Sequence, residues 1–123
     1  MSITIVTSMQ ISPIENQQNF HVHLDPYSKF IYAIESPETK KRYPQRFKTF
    51  LDYLRIPGDT IEDRINIFYE NAIQNTDWPQ NSLINFIMLQ KERVLRDDIS
   101  ASTIPNYYKP VKPFCDMNNI LLN

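Results

Sequence analysis

The chain has 123 residues, room for one hydrophobic core and too few for two. Apolar residues make up 41% and charged residues 22%, which excludes wholesale disorder, and no apolar run reaches the ~18 residues of a membrane span. The 13 cations and 14 acids leave a net charge of −1, which taken alone speaks against a nucleic-acid partner, and the single Cys115 excludes an internal disulfide. The N-terminus has neither the basic start nor the long apolar stretch of a secretory signal, so a cytoplasmic location without membrane contact is expected.

Glycine occurs once, where average usage would give about eight or nine, and proline occurs nine times. Sheet proteins use glycine for the positive-φ positions of tight turns, so this imbalance predicts an all-α fold with Pro, Asn and Asp in the connections. Residues 1–24 read as a weakly ordered N-terminal arm. Ile3, Ile5, Met9, Ile11 and Ile14 are scattered among polar residues there, with a short lone strand over 2–7 as one option.

The helical domain occupies 25–123. Tyr27, Phe30, Ile31 and Ile34 share one face of a short first helix that ends near Ser36-Pro37. Ser36 is a ready N-cap with Pro37 in the first turn, and Tyr43, Phe47, Phe50, Leu51 and Leu54 then recur at helical steps. Pro44 lies inside that pattern and should kink the helix or delay its start, and Gly58 is the expected stop. Thr60 and Asp63 form a variant capping box ahead of Ile61, Ile65, Phe68, Tyr69 and Ala72, in a helix ending near Asn75. After a turn at Trp78-Pro79, Ser82 caps a helix bearing Leu83, Phe86, Ile87, Val94 and Leu95. The last element starts between Ser100 and Thr103, and Pro110 and Pro113 within its apolar pattern predict a bend or an early end.

Charge is segregated along the chain. Lys40, Lys41, Arg42, Arg46 and Lys48 fall within nine residues that hold no acid, whereas Asp59, Glu62, Asp63, Glu70 and Asp77 surround Arg64 alone. If the second and last helices pack side by side, one face gathers the positive potential that attracts phosphates.

Two segments repeat a Ser-x-x-Thr start followed four residues later by Tyr: Ser36 to Tyr43 and Ser100 to Tyr107. Together with Gln90–Arg96 and the run Ile99–Tyr107, they resemble the N-terminal core-binding domain of tyrosine recombinases of the phage-integrase type, particularly archaeal ones. The resemblance covers about residues 25–120. It implies a SAM-like bundle of four to five helices that clamps one side of double-stranded DNA, in company with other recombinase subunits, for site binding in DNA integration. By position it assigns DNA contact to Thr39, Lys40, Arg42 and Tyr43 on one helix and Ser102, Thr103, Asn106 and Tyr107 on the other. Lys41, Arg46, Lys48 and Lys109 add long-range attraction. Helix N-termini and hydroxyls suit phosphate, and Asn106 suits either an adenine edge or a phosphate.

The family cuts DNA with a Tyr nucleophile assisted by Arg and His-x-x-Arg in a separate domain. His21 and His23 are followed three positions on by Leu24 and Pro26, so that motif is missing and no catalysis is expected of this chain. No cofactor or metal is expected either, since the His21/His23 pair lacks a third ligand and one glycine cannot build a phosphate-cradling loop. The competing reading is a helical protein–protein interaction module with a groove around Trp78, Phe86 and Tyr108.

Overall fold

Local sequence signals start the helices. In the computed structural model, which describes residues 24–123, the chain runs through α1 (Pro26–Ala33), α2 (Pro37–Leu54), α3 (Ile61–Gln74), α4 (Trp78–Leu95), α5 (Thr103–Tyr108) and α6 (Val111–Met117). No strand occurs among the described residues, so the fold they form is an all-α bundle. The expected arm and its strand option lie outside the described residues, save for Leu24.

Three N-caps follow from side-chain chemistry. Asp25 Oδ1 accepts the Ser28 N–H at 2.8 Å, Ser36 Oγ that of Thr39 at 3.3 Å, and Thr60 Oγ1 that of Asp63 at 3.0 Å. Each satisfies a donor that the first turn leaves free, and Pro26 and Pro37 occupy first-turn positions where a missing N–H costs nothing.

Three features differ from the sequence expectation. Pro44 does not delay α2, which runs through it with the proline ring buried, because packing of Pro44, Phe47 and Leu51 outweighs one lost backbone bond. The stop of α2 is Arg55 rather than Gly58. Arg55 takes the left-handed conformation (φ 58°), its N–H bonds Asp52 O at 3.1 Å, and the Ile56 N–H reaches back to Leu51 O at 3.1 Å. α4 begins at Trp78, not Ser82. Pro79 belongs to its first turn, and Ser82 is a buried interior residue rather than a cap. The last apolar stretch ends early at Lys109-Pro110, as expected, and resumes as a second helix, in which Pro113 sits in the first turn, where no intrahelical donor is needed.

The same left-handed closure recurs at Asp97 (φ 61°), with Asp98 N–H to Arg93 O at 2.9 Å, and at Asn119 (φ 58°), with Ile120 N–H to Cys115 O at 2.9 Å. Arg, Asp and Asn thus fill positions that other chains give to glycine. Gly58 itself has φ +146°, and a Cβ there would stand 2.7 Å from Arg64 Cγ, so this one position does require glycine.

The core is aromatic. Phe30, Phe47, Phe50, Phe68, Phe86 and Phe114 are all fully buried, each stabilising the fold by about 1.5–3 kcal/mol through burial. Phe47 meets Phe114 edge to face at 5.4 Å and Phe68 at 5.8 Å, while Phe30 meets Phe114 at 5.5 Å. Polar ties then fix the helix positions. Asn66 on α3 accepts the Tyr27 N–H at 2.9 Å and donates to Asp25 Oδ2 at 2.9 Å, which holds the start of α1 against α3. Buried Asn118 donates to Phe114 O at 3.0 Å and to Pro26 O at 3.3 Å, linking α6 to α1. Arg64 on α3 donates from Nε to Ile56 O at 2.8 Å and pairs with Asp52 at 2.9 Å, so it locks the α2–α3 corner.

Candidate nucleic-acid interface

The basic residues of α2 are placed by what its other side must bury. Tyr43, Pro44, Phe47, Phe50, Leu51 and Leu54 turn inward, and the 3.6-residue period leaves Lys41, Arg42, Gln45 and Lys48 toward solvent. α2 carries five cations against Glu38 and Asp52, a net +3, while α3 carries Glu62, Asp63 and Glu70 against Arg64, a net −2. The whole-chain charge of −1 therefore conceals a positive helix beside a negative one.

Lys41, Arg42, Gln45 and Arg46 line a shallow depression closed on one side by Glu38. Arg42 pairs with Glu38 at 3.4 Å and Lys48 with Asp52 at 3.0 Å, both i,i+4 contacts with side chains at least half exposed. Such pairs are worth little in water and release their cations readily to a stronger anion. Lys40, Lys41 and Arg46 have no ion-pair partner among the described residues. Asp52 is held below the usual carboxylate range, first by its bond from Lys48, with Arg64 adding to the shift, against the opposing effect of burial.

α2 and α5 pack directly against one another. Phe86 of α4 wedges between them, 5.2 Å from Phe50, 5.3 Å from Tyr53 and 5.9 Å from Tyr107. Arg46 lies seven residues before Tyr53 and so on the same side of α2, the side that meets Phe86 of α4. Lys109 is exposed at the end of α5, and Lys112 is paired with Asp116 at 3.6 Å.

The expected contact residues divide into two groups. Lys40, Lys41, Arg42, Lys48, Ser102 and Lys109 are exposed, and Thr39, Arg46, Thr103 and Asn106 are half-buried. Tyr43 and Tyr107 direct their rings inward, Tyr43 stacked on Phe30 at 6.3 Å and Tyr107 tilted against Phe86 at 5.9 Å. The hydroxyls of Ser100, Ser102 and Thr103 bond one another at 3.0 and 3.1 Å and none caps α5. Gln45 and Glu38 were not singled out by the sequence, although their i,i+4 relation to Lys41 and Arg42 was there to read.

No cluster of three or more His, Cys, Asp or Glu among the described residues is placed to hold a metal ion, and His21 and His23 lie outside them. No helix among the described residues is long and apolar enough to cross a membrane. No family model, no curated protein and no solved structure matches the chain.

Proposed function

We propose that the chain binds double-stranded DNA in the manner of an integrase-type core-binding domain, gripping a recombination site alongside other recombinase subunits in the cytoplasm, with no catalysis of its own. The observation that carries this reading is the cation-rich α2, on which Lys40 and Lys41 are exposed, Arg46 is half-buried and none of the three has an ion-pair partner among the described residues, with α5 packed against the same helix. Cations on such a helix supply the sequence-independent, counterion-releasing part of DNA affinity. Tyr43 and Tyr107 act in this reading as core rings that position the helices, not as DNA contacts.

Three phosphate contacts by the unpaired cations would give a log–log salt slope of about −2.7, and recruitment of Arg42 and Lys48 away from their carboxylates would steepen it to about −4.5. The isolated domain binds at about 10⁻⁴ to 10⁻⁶ M at physiological salt. Fluorescence anisotropy with a duplex oligonucleotide across a salt series tests this. The Lys40→Glu/Lys41→Glu variant, altered only at exposed side chains, weakens binding at least ~10-fold and flattens the slope by about 1.8. Equal affinity for the two proteins, or a flat salt response of the native chain, overturns the reading.

The competing interaction module has less support around Trp78, Phe86 and Tyr108, since Phe86 is 1% exposed and Trp78 packs on Phe68 at 5.4 Å.

A further inference from the structure

The outer face of α2 is ordered across its width as well as along its length. Gln45 stands at the middle of the face. Glu38 and Asp52 are each seven residues away from it, so at about 100° per residue they fall within about 20° of its direction, about 10.5 Å to either side. Lys41 and Lys48 lie about 40–60° to one side of this line, and Arg42 and Arg46 about 60–100° to the other. All of these side chains are exposed except that of Arg46, which is half-buried. The face therefore reads acid, amide, acid along its middle, with two cations on each margin.

We infer that Gln45 is the residue with which α2 reads DNA sequence, by pairing with the edge of an adenine on the floor of the major groove; this rests on the DNA-binding reading above. Charge decides the orientation. A phosphate is repelled from the middle line, where Glu38 and Asp52 stand at both ends, and is attracted to the two margins instead. The major groove is the counterpart of that arrangement, with phosphates on both walls and a floor of neutral base edges, and its width of about 12 Å admits one helix. Along the middle line, Gln45 meets the floor without a charge and without a partner. Its amide takes part in none of the side-chain hydrogen bonds among the described residues. Glu38, by contrast, pairs with Arg42 at 3.4 Å, and Asp52 pairs with Lys48 at 3.0 Å and Arg64 at 2.9 Å. An amide offers one acceptor and one donor side, which match the N6 donor and the N7 acceptor of adenine. No other base presents that pair on its own major-groove edge.

The test uses the full chain and a pool of duplex oligonucleotides with a randomised central segment, from which bound duplexes are recovered and sequenced. The native chain should enrich adenine at one position by about 5- to 100-fold over the other bases. Gln45→Ala, altered at an exposed side chain, should lose the enrichment at that position. Gln45→Arg should move it from adenine to guanine, whose N7 and O6 both accept from a guanidinium. A merely structural role for residue 45 does not exchange one base for another. A native chain that enriches no base, an adenine preference that survives in Gln45→Ala, or a Gln45→Arg chain that does not turn to guanine overturns the inference. The salt series separates this failure from that of the DNA-binding reading. Salt-dependent binding without the adenine preference removes only the role of Gln45, whereas absent or salt-independent binding removes both.

Discussion

Replacing Arg64 by alanine removes a polar tie between the end of α2 and the body of α3. Its Nε–H···O bond to the Ile56 carbonyl is 2.8 Å long, its guanidinium is 2.9 Å from Asp52, and the Arg64 side chain is only 14% exposed. Losing a charge-assisted donor to a carbonyl in a buried residue costs about 1.5–3 kcal/mol. The Asp52 pair adds less than ~1 kcal/mol, because that carboxylate is half exposed and keeps Lys48. The expected loss for Arg64→Ala is therefore about 2 kcal/mol, or roughly 8–16 °C in Tm for a domain of this size. Urea unfolding followed by far-UV circular dichroism measures it, and an unchanged m-value shows that the same surface is exposed. Asp52→Asn separates the two contributions and should lose no more than ~1 kcal/mol. If Arg64→Ala falls within ~0.5 kcal/mol of the native chain, or matches Asp52→Asn, the corner is not held by the bond to Ile56 and the reasoning fails.

Two further predictions concern stability. Arg55→Gly relieves a left-handed arginine worth about 1–2 kcal/mol but loosens the unfolded chain by about 0.4–1, so a net gain of about 0.5–1 kcal/mol should appear as a higher urea midpoint. Asp25 is held below its ordinary value of 3.8, first by the hydrogen bond at Ser28 and further by Asn66, despite the opposing effect of burial. A carboxylate depressed in the folded state stabilises above its unfolded pKa, and that contribution disappears as pH falls below 3.8 through the folded value. Urea midpoints at pH 5 and pH 3 should show a smaller acid loss in Asp25→Asn than in the native chain, and equal losses would refute the assignment.

What the sequence revealed was local. The starts of α2 and α3 were legible because their caps, Ser36 with Pro37 and Thr60 with Asp63, act within one turn. The end of α2 was missed because glycine is the usual left-handed residue and the chain puts Arg55 there, three positions before its only glycine. The start of α4 was missed because Trp78-Pro79 reads equally as a turn and as a first helical turn, and only packing decides. The basic cluster of the candidate interface was visible because its residues are contiguous in sequence. The neighbouring α5, the inward aim of Tyr43 and Tyr107, and the Arg64–Asp52 lock depend on tertiary approach, which periodicity does not encode.

The aromatic core bears on how this domain comes apart. Phe30 from α1, Phe47 and Phe50 from α2, Phe68 from α3, Phe86 from α4, Tyr107 from α5 and Phe114 from α6 form one connected set of ring contacts, each between 5.2 and 6.4 Å. Edge-to-face and tilted pairs of this kind add about 0.5–1.5 kcal/mol each beyond burial. A helix that frays must withdraw a ring from a site shared with at least one other helix, so partial opening forfeits contacts on both sides of the gap. Slow amide exchange in α1 through α6 should then share one opening free energy, that of the whole domain. A load applied to any one helix would be resisted by the domain as a unit.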